Sequence, residues 1–184
     1  MVYEMEIAGY KRELLLSPVN DSTSIAAFII FGDVEITKAC ASHLLEKAPD
    51  FDIVFTAEAK SIPLAYEMAK QAEQNEYVIA RKTPKLYMED LIMTNVDSIT
   101  TEHVQRLCIG KREANMIKDR KVLIVDDVIS TGQSLASMEY LVEQAGGQIV
   151  GKMAVLAEGD AIKRDDIIVL EQLPLFNRDG SVKE

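Results

Sequence analysis

The chain has 184 residues, of which 48% are hydrophobic and 27% charged, as expected for one globular domain with a sizeable core. Its net charge of −10 argues against nonspecific binding to nucleic acid or to an acidic membrane, since either partner requires a basic face. Cys40 and Cys108 lie far apart without CxxC spacing, and neither a signal peptide nor a membrane-spanning run is recognisable, so we expect a cytoplasmic protein without disulfide or zinc sites.

The first 35 residues or so predict a small N-terminal flap. They alternate weakly between apolar and polar residues and break at a turn cluster, Asn20–Ser22. A fresh apolar run, Ser24–Phe31, precedes a segment with helical spacing, Glu35–Ala48, which stops before a proline. This segment is predicted to be the first core helix.

A buried strand is predicted at Phe51–Thr56, followed by a polar turn and a helix from Ile62. Pro63 fits the first turn of that helix, where its missing N–H costs nothing. Lys60 lies in the turn, where a cation opposes the helix dipole. A merely solvated lysine is therefore an unattractive explanation for this position.

The strand predicted at Tyr77–Ala80 ends in a cationic cluster, Arg81–Lys85, which is unusual in so acidic a chain. An anion site and a charged surface turn are both compatible with it. From there to residue 110, two weak strands separated by a polar tip predict a long flexible hairpin at about residues 86–110.

The most informative stretch is Val122–Ser134, with the sequence VLIVDDVISTGQS. Its apolar run predicts a buried parallel strand, and the apolar spacing behind it predicts a helix. Unpaired N–H groups and the positive end of the dipole at the helix start favour a phosphate. This predicted phosphate loop consists of Ser130, Thr131, Gly132, Gln133 and Ser134.

Two adjacent acids, Asp126 and Asp127, precede the phosphate loop. A sugar phosphate suits both features, because its hydroxyls donate to the acids while its phosphate binds the loop. A Walker-type nucleotide loop fits poorly, since the chain has no GxxxxGK[ST]. The alternative is a strand that ends in a solvated acidic turn.

Two further strands are predicted, at Gln148–Glu158 and within Arg164–Phe176. The alternation of strands and helices predicts an α/β fold, with a mostly parallel twisted sheet flanked by helices, as one domain over residues 1–184. The core covers about residues 36–170. Ligand sites in such sheets lie at the carboxyl ends of the strands, so Glu158 should lie near the site.

The stretch Val122–Ser134 resembles the phosphoribosyl pyrophosphate signature of the type I phosphoribosyltransferases, and nearly the whole chain is similar to their adenine and xanthine branch. The resemblance implies transfer of a 5-phosphoribosyl group to a purine, with Asp126 and Asp127 as catalytic acids. It also implies a non-proline peptide, often cis, between Glu58 and Ala59. The implied pyrophosphate-binding residues are Glu58, Ala59, Lys60, Arg81 and Lys85.

The same resemblance makes the hairpin tip a catalytic lid and the flap a hood over the base. Related adenine enzymes have a glutamate near Thr100, whereas this chain offers Glu102, our candidate acid–base residue. Candidate base-binding residues are Tyr10, Arg12 and Glu158. Xanthine enzymes carry a lysine where this chain has Gly159, which favours adenine over xanthine.

The resemblance further implies Mg²⁺ carried by phosphoribosyl pyrophosphate rather than held by protein ligands, and a homodimer that binds neither nucleic acid nor membrane. Three alternatives stay open. The first is a regulatory protein that binds phosphoribosyl pyrophosphate, the second a xanthine or guanine phosphoribosyltransferase. The third is a magnesium-dependent pyrophosphate hydrolase.

Overall fold

The computed structural model describes residues 1–94 and 106–183 of the chain. Ten strands and four helices of that part of the chain are numbered in chain order. The strands are β1 (Val2–Ile7), β2 (Tyr10–Pro18), β3 (Ser24–Ala27), β4 (Ile53–Ala57), β5 (Val78–Ala80), β6 (Ile92–Met93), β7 (Cys108–Ile109), β8 (Lys121–Ile129), β9 (Gln148–Glu158) and β10 (Ile168–Leu173). The helices are α1 (Val34–Lys47), α2 (Ile62–Gln71), α3 (Lys111–Ile117) and α4 (Gln133–Gln144).

The core is a five-stranded parallel sheet with the order β10-β9-β8-β4-β5, which confirms the predicted α/β fold. Side chains alternate between its two faces. Val54 and Leu123 pack on one face with residues of α1 and α2, whereas Phe55 and Ile124 pack on the other face with residues of α3 and α4. The buried apolar runs of β4 and β8 are explained by this burial on both faces.

The strand order places a topological switch point between β4 and β8. The chain leaves β4 through α2 toward β5 on one side, and it leaves β8 through α4 toward β9 on the other side. Because the two connections diverge, a crevice opens at the carboxyl ends of these two neighbouring strands, where ligands bind in open α/β sheets.

The N-terminal residues form a separate antiparallel sheet, β1-β2-β3. Phe176, from the segment after β10, pairs with Ser24 of β3, and its ring centre lies 4.8 Å from that of the tilted Tyr3 ring. The N-terminal sheet is thereby joined to the C-terminal segment. Only the first half of the apolar run Ser24–Phe31 is a strand, since β3 ends at Ala27.

The base of the predicted hairpin is present as β6 and β7, which pair antiparallel from Ile92 to Ile109. Its tip, which includes Glu102 and His103, lies outside the described residues. Helix α3 was not predicted, because its seven residues are too few to display a helical period. Within residues 1–94 and 106–183, none of the helices combines the length and the apolar character needed to cross a bilayer.

Candidate active site

The phosphate loop lies between the end of β8 and the start of α4, as predicted. Gly132 is the N-cap of α4 and adopts a left-handed conformation, with φ +77°. Glycine tolerates this conformation without a steric penalty, and it has no side chain to accept from the N–H groups of the first turn. Residues 128–135 and Asp126 enclose a cavity of about 40 Å³ beside these groups. An anion in this cavity would meet the unpaired N–H groups at the start of α4.

Asp126 and Asp127 lie near the end of β8, and the Asp127 N–H donates to Oδ1 of Asp126 at 2.9 Å. Asp127 is only 4% exposed. Burial and the neighbouring Asp127 carboxylate together raise the pKa of Asp126 to about 7. Asp126 therefore binds a proton far more readily than an exposed aspartate does.

Lys60 extends from the turn after β4 to the acids of β8. Its Nζ lies 2.6 Å from Oδ2 of Asp127, although half of the lysine side chain is exposed. The predicted pyrophosphate turn and the predicted ribose acids are thus in direct contact. This contact bridges the crevice at the switch point.

The turn itself has the backbone that the resemblance implied. The peptide bond between Glu58 and Ala59 is cis, and Ser61 is the N-cap of α2 with Pro63 in its first turn. The Glu58 N–H donates to the Ala80 carbonyl at 2.9 Å, so the turn is attached to the end of β5.

Glu58 links the turn to the cationic cluster after β5. Its carboxylate accepts from Nη1 of Arg81 at 2.7 Å and from the N–H of Lys82 at 2.9 Å. Burial raises the pKa of Glu58, but these hydrogen bonds outweigh burial and the pKa is lowered overall. Lys85 is partly buried, and its Nζ donates to the Thr83 hydroxyl at 3.3 Å. Arg81 is therefore paired with a carboxylate.

The three candidate base-binding residues occupy two places. Glu158 ends β9, and burial raises the pKa of its carboxyl while the nearby Lys60 ammonium lowers it. Arg12 instead pairs with Asp33 at 2.7 Å and with Glu35 at 3.0 Å, at the start of α1. Its guanidinium carbon also lies 5.6 Å from the centre of the Tyr10 ring.

The structure therefore groups Glu158 with Lys60, whereas Tyr10 and Arg12 belong to the N-terminal sheet. Among the described residues, neither of these two makes a hydrogen bond or ion pair to the ends of β4 and β8. Glu102 lies outside the described part of the chain.

Two buried hydroxyls at the crevice were not identified from the sequence. The Thr56 hydroxyl donates to the Val125 carbonyl at 2.7 Å and shares a hydrogen bond of 2.8 Å with the Ser61 hydroxyl. Ser61 in turn bonds the Ala57 carbonyl at 3.3 Å. These bonds fasten β4, β8 and the start of α2 together below the turn. A threonine at the end of an apolar strand was the only signal in the sequence.

Across residues 1–94 and 106–183, no group of three or more His, Cys, Asp or Glu side chains converges as a metal site. Carboxylate oxygens are nevertheless present at the crevice in Asp126 and Asp127. They suit a hard cation that is bound mainly by ligand phosphates, since magnesium in such sites uses only one or two protein carboxylates.

Comparisons with known proteins converge on one family. The family model described as "phosphoribosyl transferase domain" matches residues 34–179. Xanthine phosphoribosyltransferase 1 of Clostridium perfringens is 34% identical over 109 residues, which is 59% of this chain and 56% of that protein. The chain thus matches less than two thirds of that relative's length.

Two further comparisons extend over more of the chain. The adenine phosphoribosyltransferase of Fervidobacterium nodosum is 34% identical over 136 residues, covering 69% of each chain. The crystal structure of adenine phosphoribosyltransferase from Rhodothermus marinus superposes with a TM-score of 0.67 at 20% identity, covering 94% of both chains. At that identity the superposition supports the fold alone.

Proposed function

The chain belongs to the phosphoribosyl transferase domain family, and from this premise we propose that it transfers 5-phosphoribosyl groups from phosphoribosyl pyrophosphate to a purine. In the proposed reaction a bond forms between C1 of the ribose and a ring nitrogen of the purine. The bond from C1 to the pyrophosphate oxygen breaks, the pyrophosphate leaves with the bonding electron pair, and the ring nitrogen loses its proton. The products are a nucleoside monophosphate and pyrophosphate.

The observation that carries the proposal is the contact between Lys60 and Asp127. It brings a cationic turn and a pair of acids to the same crevice, next to a loop that suits a phosphate. A sugar that carries a phosphate at one end and a pyrophosphate at the other fits this arrangement, because its hydroxyls lie between two anionic groups. In this arrangement the phosphate loop binds the 5-phosphate, and the acids accept hydrogen bonds from the ribose hydroxyls.

The leaving group is assigned to the opposite side of the crevice. Lys60, Arg81 and Lys85 supply positive charge for the pyrophosphate, aided by the backbone N–H groups of the turn at Glu58–Ala59. Catalysis then consists of positioning and electrostatic stabilisation, because the carboxylates of β8 lie where positive charge develops on the ribose. We retain Glu102 as the proposed acid–base residue.

Magnesium is proposed as the cofactor, carried by phosphoribosyl pyrophosphate. A bound Mg²⁺ would neutralise pyrophosphate charge and assist its departure. Asp126 and Asp127 are the residues that would hold it, directly or through water. Their carboxylate chemistry fits such a role.

Adenine is the base we favour, with xanthine as the second candidate. Gly159 follows Glu158 at the end of β9, where the family resemblance implies a lysine in the xanthine branch. The second candidate is kept because one of the similar proteins is named xanthine phosphoribosyltransferase 1.

A base panel tests the function. Purified protein is incubated with phosphoribosyl pyrophosphate, Mg²⁺ and adenine, xanthine, hypoxanthine or guanine, and nucleoside monophosphate and pyrophosphate are both quantified. We expect both products in equal amounts, fastest with adenine, and their loss in a folded variant that carries Asp126→Asn and Asp127→Asn. Pyrophosphate-derived phosphate without any base would indicate a hydrolase. Tight binding of phosphoribosyl pyrophosphate without turnover of any base would indicate a regulatory protein.

A homodimer in the cytoplasm is proposed as the working state. Val34 and Tyr66 are 69% and 54% exposed, and they line a partly apolar groove between α1 and α2 that a second copy would cover. Cys40 and Cys108 are free thiols, which suits a reducing compartment. Light scattering after size-exclusion chromatography should give twice the chain mass, and a monomer at all concentrations would refute the dimer.

A further inference from the structure

Arg164 lies against the phosphate loop, although no pattern in the sequence singles it out. It follows a short 3₁₀ helix, Gly159–Lys163, after β9. A Cβ atom built on Gly132 would lie 2.8 Å from Nη1 of Arg164. The guanidinium group therefore occupies the space that a side chain at the N-cap of α4 would need.

Asp166 holds this guanidinium in place. It accepts from Nε of Arg164 at 2.8 Å and from Nη2 at 2.7 Å, which is the bidentate geometry that fixes an arginine most firmly. Lys152 of β9 also donates to Asp166, and it pairs with Glu139 of α4 at 2.7 Å. Arg164 is thus anchored to β9 and to α4, the helix that begins at the loop.

Nη1 is the guanidinium nitrogen of Arg164 that does not bond to Asp166. Among the described residues, no hydrogen bond or ion pair engages it. It is also the nitrogen nearest to Gly132. The guanidinium group is held through the two nitrogens that bond to Asp166, while Nη1 faces the phosphate loop.

The residues of the phosphate loop provide little positive charge for a bound phosphate. Ser130–Ser134 contain neither lysine nor arginine, and Asp126 and Asp127 precede them. The start of a helix supplies only about half a positive charge, whereas a phosphate monoester carries roughly −1.5 to −2 at neutral pH. A dianion bound beside two carboxylates therefore needs a further cation.

We propose that Arg164 is that cation, a residue that binds the 5-phosphate through Nη1 across Gly132. The inference rests on the proposed function, because it assigns a further contact to the phosphate of the same substrate. It extends the phosphate site from one loop to a second segment of the chain, between β9 and β10.

Calorimetry with ribose 5-phosphate tests the inference. Arg164→Gln should raise the dissociation constant about tenfold to a hundredfold, which is the range for a charge-assisted hydrogen bond. Arg164→Lys should recover part of the affinity, since it restores the charge without the planar guanidinium group that pairs with Asp166. Arg120→Gln is the matched control: it removes the same charge from an exposed residue directly before β8, at the opposite end of that strand from the loop, and should change nothing. Affinity for free purine should be equal in all four proteins.

The outcomes separate the inference from the function. Unchanged affinity in Arg164→Gln, with weaker binding in Thr131→Val, overturns the role of Arg164 and leaves the function standing. Equal losses in the glutamine and lysine variants, accompanied by a lower melting temperature, mean a structural role only and also overturn it. If wild-type protein does not bind ribose 5-phosphate, function and inference both fail.

A crystal structure of the wild-type protein with ribose 5-phosphate tests the contact without any variant. A phosphate oxygen within hydrogen-bonding distance of Nη1 supports the proposal. Phosphate bound to the loop, with Arg164 still paired to Asp166 but out of reach, overturns it.

Discussion

Nζ of Lys60 lies 2.6 Å from Oδ2 of Asp127, so the turn after β4 and the acids at the end of β8 are joined by an ion pair. In the proposed reaction the two partners address different parts of one substrate. Lys60 would leave Asp127 for the pyrophosphate, and Asp127 would then accept from the ribose hydroxyls. The pair therefore connects the occupancy of the pyrophosphate site with the availability of the ribose acid.

The first prediction concerns this lysine. Lys60→Ala should raise the inhibition constant of pyrophosphate about tenfold to a hundredfold, because a charge-assisted contact is lost. Inhibition by nucleoside monophosphate should change far less, since that product has no second phosphate group. Lys70→Ala is a suitable control, because Lys70 is also ion-paired and similarly exposed but lies on α2, paired with Glu67. Equal effects of the two substitutions would mean that Lys60 makes no specific contact with pyrophosphate.

The second prediction uses the raised pKa of Asp126. An acid whose pKa rises on folding, here from 3.8 to about 7, binds protons more tightly in the folded state. The free energy of unfolding therefore falls as pH rises from about 4 to about 7. Asp126→Asn removes this dependence, so the variant should gain stability over wild type between pH 4 and pH 8, by up to about 4 kcal/mol.

Urea denaturation at several pH values, without substrate, measures this difference. Asp21→Asn, at an exposed turn position, should leave the pH dependence unchanged. A constant offset between Asp126→Asn and wild type from pH 4 to pH 8 would contradict the burial and the charge repulsion assigned to Asp126.

The third prediction concerns the hydrogen bonds below the turn. Thr56 is fully buried, and Thr56→Val removes its bonds to the Val125 carbonyl and to Ser61. We expect a loss of about 1 to 3 kcal/mol in the free energy of unfolding, because buried groups lose their partners. Turnover should fall as well, since these bonds hold β4 and β8 together beside the proposed site.

Thr37→Val is the matched control for this experiment. Thr37 is also buried, but its hydroxyl donates to the Asp33 carbonyl within the first turn of α1. It should cost some stability without affecting turnover per folded molecule. Normal turnover in Thr56→Val would contradict this prediction, because the crevice would then keep its geometry without these hydrogen bonds.

Much of this arrangement was predictable from local patterns. The run before Asp126 is apolar because β8 is buried on both faces, and Gly132 begins α4 where the small residues indicated a loop. The patterns could not predict pairings between distant segments. Nothing near Lys60 in the sequence indicates Asp127, and nothing near Gly132 indicates Arg164. Such contacts follow from the order of strands in the sheet, which alternation of elements alone does not determine.

Arg12 illustrates a second limit of sequence reasoning. A tyrosine and an arginine in the N-terminal flap are equally compatible with base binding and with a surface role. The guanidinium pairs with Asp33 and Glu35 at the start of α1, and these carboxylates are ordinary helix-capping and first-turn residues in the sequence. Their role as partners of Arg12 depends on how β2 packs beside α1, which is a tertiary property.

The last prediction addresses the choice of base at Gly159. This residue follows β9 with φ +59°, and a Cβ atom there would lie 3.4 Å from a methyl carbon of Leu175. There is thus room for a side chain, at a backbone cost of about 1 to 2 kcal/mol in the left-handed region. Gly159→Lys would add an ammonium group next to Glu158, at the position where the family resemblance implies a lysine in xanthine enzymes, and it should favour a base with a carbonyl oxygen as acceptor.

Gly159→Ala separates the charge from the backbone, because both variants bear the same conformational cost and only one adds the ammonium. We expect the ratio of kcat/KM for xanthine over adenine to rise about tenfold to a hundredfold in Gly159→Lys, the range for one charge-assisted hydrogen bond, and to stay near the wild-type value in Gly159→Ala. KM for phosphoribosyl pyrophosphate should be the same in both variants. If the ratio moves equally in the two, the backbone and not the added charge governs the preference, and the end of β9 does not read the base.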